Sequence, residues 1–279
     1  MNITRITVIF TCFNRKEKSV ACVDSLIKGN PTIDFRFIVV DDGSTDGTSE
    51  ALSILAPNIH IIQGDGNLYW CGGMRVGIEY FQNNCLIESD YCLLVNDDVE
   101  FYPHAVENML KRLAGRENYV VVGATCNDSG DFTYGLKSRE KWYKKNITRR
   151  IYPSKEEVLG ETFNANAVLL PTSIVRDNGN LDKAYTHSLG DYDYGFRLSR
   201  RGIRLISTAD YIGVCNGNSS ASSWHDPSLP RRERIKKKES VKGSPFKEWW
   251  HFLYVNFGLH SAIIYSLLPY FKIIFGKRA

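Results

Sequence analysis

The sequence lacks the glycine motifs by which many nucleotide-binding proteins are recognised. Its 279 residues contain neither a GxxxxGKS/T phosphate loop nor a GxGxxG dinucleotide fingerprint. A long hydrophobic run is also missing, since the longest apolar stretch, Leu259 to Phe275, is interrupted by His260, Pro269 and Lys272. A membrane-spanning helix needs roughly 20 apolar residues, and the N-terminus shows no signal-peptide pattern. We therefore expect a chain that lies on a membrane rather than crossing one.

Paired cysteines are absent as well. The seven cysteines are odd in number and form no CxxC pair (Cys12, Cys22, Cys71, Cys85, Cys92, Cys126 and Cys215). Most of them fall inside apolar segments, where a free thiol packs as a small hydrophobic group. This usage favours a reducing compartment, so we expect a cytoplasmic location.

Charge is distributed unevenly along the chain. The formal net charge is only +4, but residues 231–279 hold eleven Lys or Arg against three Glu. The first 230 residues hold 24 basic and 28 acidic side chains, so the two parts are expected to meet different partners. The length suffices for a full α/β core with a short appendage.

The first half alternates apolar, β-branched segments with helical patterns. Strands are predicted at Ile6–Thr11, Phe35–Val40, Asn58–Ile62, Tyr91–Val95 and Tyr119–Gly123, with a helix from about Gly73 to Asn83. This order predicts an α/β fold with a mostly parallel central sheet flanked by helices. In such sheets ligands bind beyond the carboxyl ends of the strands.

The second half is less regular. Residues 127–160 are polar and aromatic and predict loops or a small hairpin around Lys141–Lys145. A further strand is predicted at Phe163–Leu170, a helix at Asp191–Arg201 that Gly202 stops, and a last strand at Arg204–Val214.

Polar side chains follow three of the predicted strands. The first strand leads to Asn14, the second to Asp41 and Asp42, and the fourth to Asn96, Asp97 and Asp98. Carboxylates crowded at one rim repel one another unless a cation offsets them, and Mg²⁺ commonly takes one or two carboxylates plus substrate phosphates. The alternative, that Asp41, Asp42 and Asp46 merely cap the following helix, stays open.

Four of these segments, taken in order, resemble the successive signatures of the family-two inverting glycosyltransferases. They are Thr7–Asn14, Ile38–Asp46, Val95–Asp98 and Gly190–Arg197, and the resemblance spans roughly residues 5 to 215. A fifth segment, Gly66–Arg75, is similar to a variant seen among bacterial cell-surface polysaccharide and rhamnosyl transferases. The resemblance implies a GT-A fold in residues 1–225, with a nucleotide-binding half (about 1–125) and an acceptor half (about 126–225).

The resemblance also implies roles for individual residues. Those that would bind the nucleotide and diphosphate of the donor are Thr11, Asn14, Asp41, Asp42, Asn67, Gly72, Gly73, Arg75 and Asp97. Asp98 would be the principal ligand of Mn²⁺ or Mg²⁺, with His225 as a further candidate ligand. The family's DxD motif falls at Asn96–Asp98, where Asn replaces its first Asp.

Asp191 falls where the family has its general base. An acceptor hydroxyl loses its proton as it attacks the anomeric carbon, and a positioned carboxylate can take that proton. The alternative is that Asp191 and Asp193 are first-turn helix residues favoured by the helix dipole.

The C-terminal extension, residues 226–279, combines a basic segment, Arg231–Lys238, with aromatic residues such as Trp249 and Trp250. The resemblance to a GT-A enzyme ends before it, and no nucleic-acid module is recognisable. Amphipathic helices of this composition suit an anionic membrane surface. The aromatic tail could instead pair two subunits.

The resemblance implies metal-dependent, inverting transfer of a sugar from dTDP-rhamnose or a UDP-sugar to a hydroxyl of a lipid-linked glycan acceptor. Together with the composition of the extension, it leads us to expect this reaction at the inner face of the plasma membrane. Two alternatives stay open. The same site could transfer N-acetylglucosamine or galactose, or the chain could be a non-catalytic nucleotide-sugar-binding or scaffolding protein.

Overall fold

The computed structural model describes residues 3–141, 144–217 and 223–276, with side chains described outside residues 141–147. Its strands are β1 (Thr4–Cys12), β2 (Ile33–Asp41), β3 (Ile59–Gln63), β4 (Tyr91–Val95), β5 (Glu100–Phe101), β6 (Tyr119–Cys126), β7 (Leu136–Lys141), β8 (Lys144–Arg150), β9 (Leu159–Gly160), β10 (Thr162–Phe163), β11 (Ala167–Pro171) and β12 (Arg204–Val214). Its helices are α1 (Lys16–Gly29), α2 (Thr48–Leu55), α3 (Tyr69–Asn84), α4 (Ala105–Leu113), α5 (Thr172–Asn178), α6 (Gly190–Arg200), α7 (Arg231–Lys238), α8 (Phe246–Phe257), α9 (Leu259–Ser266) and α10 (Leu268–Phe275), with a 3₁₀ turn at Val241–Gly243.

The main sheet has the strand order β3-β2-β1-β4-β11-β6-β12-β5, with β9 beside β12. The first four strands of this order are parallel, and β6 is parallel to β12. Strand β11 is antiparallel to both of its neighbours, β4 and β6. The expected α/β architecture is therefore confirmed, and the antiparallel insertion is a feature that the strand pattern did not predict.

The second half departs from expectation at one informative place. The single strand predicted at Phe163–Leu170 is divided into β10 and β11, with residues 164–166 between them. The hairpin predicted within residues 127–160 is present as β7 and β8, whereas Trp142 and Tyr143 lie outside the described residues. The helix expected at Asp191–Arg201 is present as α6.

Two apolar layers enclose the main sheet, because successive side chains of a strand point to opposite faces. Val8 and Phe10 of β1 pack in one cluster with Leu26 of α1. Ile9 packs in the other cluster with Met74 and Phe81 of α3. Each of these fully buried side chains contributes about 1.5–3 kcal/mol relative to exposure, so helices held on both faces fix the strand ends that form the cleft described below.

All seven cysteines are free thiols, and six of them are buried, as expected for small apolar groups. No helix in the part of the chain that the structure describes is both long and apolar enough to cross a bilayer.

The C-terminal extension is packed against the α/β domain through α8. Phe252 of α8 lies in an aromatic cluster with Tyr185 and Phe196. The Asn256 side-chain amide donates to Asp193 Oδ1 at 2.8 Å, and His251 Nε2 lies 2.9 Å from Asp182 Oδ2. Helix α8 thus joins the extension to α6, the helix that carries Asp191.

Candidate functional site

A cleft of about 580 Å³ opens at the carboxyl ends of β1, β2 and β4. Its first-half lining comprises Thr11, Cys12, Phe13, Arg15, Asp42, Gly66, Tyr69, Trp70, Asn96, Asp97 and Asp98. Its second-half lining comprises Tyr134, Asn164, Ala165, Asn166, His187, Ser188, Leu189, Asp191, Tyr192 and Lys242. Thus the carboxylates singled out at positions 42, 97, 98 and 191 share one cavity, although almost 150 residues separate the first from the last.

Asp42 holds the loop that leads into α3. Its Oδ1 accepts hydrogen bonds from the backbone N–H of Gly66 at 2.9 Å and of Leu68 at 3.2 Å, and its Oδ2 accepts from Tyr69 N–H at 3.0 Å. Thr11 donates its hydroxyl to the Val40 carbonyl at 2.9 Å. Both side chains line the cleft, so Asp42 presents a carboxylate whose orientation is already set by the backbone.

Asp41, Asp46 and Asn14 have structural partners and are not among the described cleft residues. Asp41 is buried and accepts from the Ser44 N–H and the Ser49 hydroxyl. Asp46 accepts from the N–H groups of Thr48 and Lys16, at the starts of α2 and α1. Asn14 Oδ1 accepts from Thr45 N–H at 2.8 Å. For Asp41 and Asp46, these contacts are the turn and helix-start contacts that sequence reasoning left as the alternative.

The remaining donor-binding candidates lie beside the cleft or behind it. Asn67 is exposed and bonds to Asp65. The guanidinium of Arg75 donates to the carbonyls of Asp182 and Tyr185, at 3.1 and 2.6 Å.

Gly72 and Gly73 of α3 serve packing. A Cβ on Gly73 would lie 2.2 Å from Thr11 Oγ1, and one on Gly72 would lie 3.3 Å from Leu68 Cβ. Gly73 therefore lets α3 approach β1 closely. That Arg75, Gly72 and Gly73 contact the diphosphate of the donor, as the resemblance implies, stays a prediction.

Arg15 is a cleft residue that sequence reasoning missed. Its guanidinium bridges both neighbouring acids, with Nη1 2.8 Å from Asp97 Oδ1 and Nη2 2.7 Å from Asp98 Oδ2. Burial raises the pKa of Asp97 to about 6, although the charge of Arg15 opposes that rise. The sequence did contain a signal for Arg15, since it is a cationic residue directly after Asn14, to which the first strand leads.

The carboxylates suit a divalent metal only with help from a substrate. The described residues contain no group of three or more His, Cys, Asp or Glu able to hold a metal ion. Asp98 keeps 19% of its side chain exposed, against 4% for Asp97, so Asp98 is the accessible carboxylate. Since Mg²⁺ commonly binds one or two carboxylates and completes its shell with substrate phosphates and water, Asp98 fits that arrangement.

His225 lies in cationic surroundings and is not among the described residues that line the cleft. Its ring centroid is 3.6 Å from that of Trp224. Burial lowers its pKa, and the charges of Lys272 and Arg234 lower it further. The same charges would repel a divalent cation, and ligation of the metal by His225 stays a prediction.

Asp191 occupies the first turn of α6 at the opposite wall of the cleft. Its Oδ2 accepts from Ala165 N–H at 3.2 Å and its Oδ1 from Tyr192 N–H at 2.8 Å. Burial raises its pKa, while these hydrogen bonds and the charge of Lys137 oppose the rise. A carboxylate with a raised pKa in a cleft is suited to accept a proton.

Asp193, two residues later, points elsewhere. It is 3% exposed and accepts the amide of Asn256. Its role is therefore to join α6 to α8, and the two acids of this helix have separate functions.

Two polar atoms near Asp191 are buried without a hydrogen-bond partner among the described residues, Asn164 Oδ1 and His187 Nδ1. Leaving such atoms unsatisfied costs roughly 1–3 kcal/mol each, so both are suited to bind a hydroxyl of a ligand. Burial and the charge of Lys242 lower the pKa of His187, which keeps its imidazole neutral. Asparagines interrupting the apolar segment Phe163–Leu170 were a sequence signal for this wall, whereas nothing pointed to Lys242.

Comparisons with known proteins bear on the family and the fold of the chain. The family model described as Glycosyl transferase family 2 matches residues 7–172, which is more than half of the chain. A teichoic acid poly(glycerol phosphate) polymerase of Staphylococcus epidermidis is 28% identical over 120 residues, covering 42% of this chain. The chain spans only 16% of the length of that relative.

Two solved structures are similar in fold over nearly the whole chain. A mannosyltransferase from Pyrobaculum calidifontis, in complex with GDP-Man and Mn²⁺, has a TM-score of 0.57 and 13% identity, covering 99% of this chain and 74% of that one. Residues 1–349 of S. aureus TarS have a TM-score of 0.59 and 15% identity, covering 97% and 81%. Identities this low show the fold alone, and it is the expected GT-A fold. With the family model covering most of the α/β domain, the chain belongs to glycosyl transferase family 2.

Proposed function

We propose that this protein is an inverting glycosyltransferase that moves a sugar from a nucleoside diphosphate sugar to an acceptor hydroxyl. The observation that carries this proposal is the convergence of Asp42, Asp98 and Asp191 on one cleft. Membership of the family supports the reaction class. The arrangement provides an accessible carboxylate for a charged donor at one wall and a carboxylate with a raised pKa at the other.

The donor side is formed by residues after β1, β2 and β4. Thr11 and Asp42 bind the base and ribose, because their side chains line the cleft next to the Gly66–Tyr69 loop. Asp98, with Asp97 beside it, would hold Mn²⁺ or Mg²⁺ together with the donor diphosphate. When bound, the metal would offset the negative charge that develops on the leaving diphosphate. Arg15 positions both carboxylates and lowers their mutual repulsion.

The acceptor side is formed by Asp191 and its neighbours. The acceptor hydroxyl gives its proton to the Asp191 carboxylate as its oxygen attacks the anomeric carbon, and the bond to the diphosphate breaks. Attack from the face opposite the leaving group inverts the anomeric centre. Asn164 and His187 bind the acceptor through the two buried atoms that lack partners among the described residues.

Similarities to other glycosyltransferases support a particular donor sugar and a particular class of acceptor. Similarity of Gly66–Arg75 to a variant among rhamnosyl transferases favours dTDP-rhamnose, and a UDP-sugar carrying N-acetylglucosamine or galactose is the alternative. The staphylococcal relative is a teichoic acid polymerase, which supports a lipid-linked acceptor for a cell-surface polymer. The mannosyltransferase bound to GDP-Man and Mn²⁺ supports the nucleotide-sugar and metal requirement.

The C-terminal extension holds the enzyme on the inner face of the plasma membrane. Exposed large apolar side chains are concentrated in it, including Leu259, Ile263, Ile264, Phe271 and Phe275. The extension carries the basic surplus as well, which complements anionic headgroups. The alternative is that two subunits pair through this surface. Light scattering without lipid would then detect a dimer.

The test uses the purified full-length chain and a panel of dTDP-rhamnose, UDP-N-acetylglucosamine, UDP-galactose and GDP-mannose. Release of nucleoside diphosphate is measured with Mn²⁺ and with EDTA, and repeated with Asp191→Asn. We expect one donor to turn over, and expect EDTA and the substitution each to suppress that turnover. Saturable donor binding without turnover would instead favour a non-catalytic binding protein, and turnover that survives both changes would remove the mechanism.

A further inference from the structure

A second cavity, separate from the cleft, lies between the helices of the C-terminal extension and the preceding residue Trp224. Its volume is about 220 Å³, and its walls include Trp224, Lys238, Trp249, Tyr265, Leu268 and Lys272. It is smaller than the cleft and is bounded by α7, α8, α9 and α10. We call it the extension pocket.

Positive charge predominates around the extension pocket. Lys238 is 1% exposed, with its ammonium 2.9 Å from both Glu239 Oε1 and the Tyr270 hydroxyl. Lys272 lines the same cavity and is exposed at its mouth. Arg234 donates to the Trp224 carbonyl at 2.9 Å. Two cations, Lys238 and Lys272, therefore line the pocket, while Arg234 contacts the backbone of Trp224 and Glu239 accompanies Lys238. This balance of charge favours an anionic group there.

The surroundings indicate that this anion is attached to an apolar chain. Leu268 contributes to the pocket wall and is 38% exposed. On either side of it in sequence, Ile264, Leu267 and Phe271 are between 47% and 58% exposed. Phe271 stacks on Phe275, which is 74% exposed. This exposed apolar surface begins at the mouth of the pocket, and indole walls at a polar–apolar boundary are typical of membrane-interface sites.

We propose that the extension pocket binds the phosphate headgroup of an anionic membrane lipid, whose chains lie along the exposed apolar side chains of α9 and α10. The proposal deepens the membrane docking proposed above, since it replaces diffuse attraction to a charged surface by one site. Lys272 contacts the phosphate, and Lys238 contributes a buried positive charge behind it. Trp224 and Trp249 contact the glycerol region.

The 3₁₀ turn relates this pocket to the cleft. Gly243 lines the extension pocket, whereas the adjacent Lys242 lines the cleft. A lipid bound in the pocket would therefore hold the turn next to the acceptor wall.

Short-chain lipids below their micelle concentration test the pocket without a bilayer. The tryptophan fluorescence of the full-length chain is titrated with monomeric dihexanoyl phosphatidylglycerol, dihexanoyl phosphatidylcholine and inorganic phosphate. We expect a saturable change with phosphatidylglycerol, and binding at least about tenfold weaker for the other two, since each lacks either the net charge or the chain.

Two matched variants separate the pocket from general charge. Lys272→Gln should weaken phosphatidylglycerol binding by about tenfold, as expected for loss of one charge-assisted hydrogen bond, and Lys272→Arg should restore it. Lys247→Gln removes an exposed cation of the same extension that is not among the described pocket residues, and should change binding less than about twofold. Equal loss in both glutamine variants, or equal binding of any two ligands, would overturn the proposal.

Donor turnover measured without lipid distinguishes this proposal from the proposed enzymatic function. We expect Lys272→Gln to retain the donor turnover of the unmodified chain, because Lys272 is not among the described cleft residues. A chain that turns over donor but shows no saturable phosphatidylglycerol binding would refute the pocket alone. A chain that binds the lipid but turns over no donor would refute the enzymatic function alone.

Discussion

The cleft and the C-terminal extension differ in whether their side chains find partners within the fold. In the cleft, acidic groups point inward and accept hydrogen bonds from nearby backbone, as Asp42 and Asp191 do. In the extension, cations gather around a pocket and large apolar side chains such as Phe275 are left exposed. The cleft is therefore preorganised by its own fold, whereas the extension has an apolar surface that the described residues leave exposed. If this contrast is right, changes in one region alter chemistry and changes in the other alter docking.

The largest expected effect comes from Asp191→Asn. Removing the proton acceptor should lower kcat for sugar transfer by about 10³-fold, within the usual range for general-base catalysis. Asp193→Asn is the matched control in the same helix, because Asp193 accepts the Asn256 amide. It should lower the melting temperature while keeping most of the activity. Steady-state kinetics and thermal unfolding of both variants separate the two roles, and equal losses of kcat would contradict them.

Asp98→Asn should have the next largest effect. Loss of the accessible carboxylate should lower transfer by about a hundredfold, since charge stabilisation at the leaving group is lost, and should raise the Mn²⁺ concentration for half-maximal activity. Asp46→Asn removes a carboxylate that bonds to Thr48 and Lys16 outside the described lining. A Mn²⁺ titration of activity in both variants gives the answer. An unchanged metal requirement in Asp98→Asn would exclude Asp98 as the ligand.

The pH dependence sharpens the assignment of Asp191. Burial raises its pKa above the ordinary value for an aspartate, and the base is active only when ionised. The rate kcat/KM should therefore rise with pH through this raised pKa and fall about tenfold for each pH unit below it. The measurement is a pH–rate profile under saturating metal. A rate that is still constant below the ordinary aspartate range would argue against Asp191 as the base.

Arg15→Gln tests how much the guanidinium that bridges Asp97 and Asp98 stabilises the cleft. Without Arg15, the buried carboxylate of Asp97 would lie beside Asp98 and lack its charged partner. We expect this loss to lower the free energy of unfolding by about 1–2 kcal/mol, a modest value because Arg15 is partly exposed. Mn²⁺ should stabilise this variant more than the unmodified chain. Urea unfolding with and without Mn²⁺ measures both effects, and Lys183→Gln, at an exposed cation that is not among the described cleft residues, is the control. Equal stabilisation of all three chains by Mn²⁺ would contradict the prediction.

The smallest effect is expected from a substitution in the C-terminal extension. Phe275→Ser should weaken binding to phosphatidylglycerol-containing vesicles by about fivefold, since less apolar area is buried, and should leave donor turnover unchanged. Ile87→Ser is the matched control, because Ile87 is 93% exposed on the α/β domain. Vesicle flotation compares them. Equal weakening by both variants would mean that the extension is not the docking surface.

Sequence reasoning succeeded where a signal was local. Strands β1, β2, β4 and β6 were recognisable as short apolar, β-branched segments, and their alternation with helices predicted the layered sheet. It did not predict that β11 would insert antiparallel between β4 and β6, because the direction of a strand depends on the path of distant chain. The split between β10 and β11 was missed for a related reason. In the sequence, the apolar residues on both sides of Asn164 and Asn166 resemble one continuous strand. In the fold, residues 164–166 line the cleft and separate β10 from β11.

The candidate site divides in the same way. Carboxylates at strand ends predicted that Asp42 and Asp98 would meet at one rim, since parallel strands end at a common edge. Which acids face the cavity was not predictable, because Asp41 and Asp42 are adjacent and differ only in the side of the strand to which they point. Arg75 was suited by type to bind phosphate, but tertiary packing gave it the carbonyls of Asp182 and Tyr185.

The sequence by itself determined the layered α/β fold, the acidic rim and the basic, apolar character of the extension, because periodicity, residue type and charge are local properties of the chain. Only the tertiary structure decided that Arg15 bridges Asp97 and Asp98, that Asp191 faces the cleft while Asp193 holds α8, and that the extension contributes Lys242 to the cleft. Arg15 and Asp98 are 83 positions apart in the sequence, and Lys242 lies 200 positions after Asp42 of the same cleft. These contacts depend on how helices and strands pack in three dimensions, which spacing along one chain does not specify.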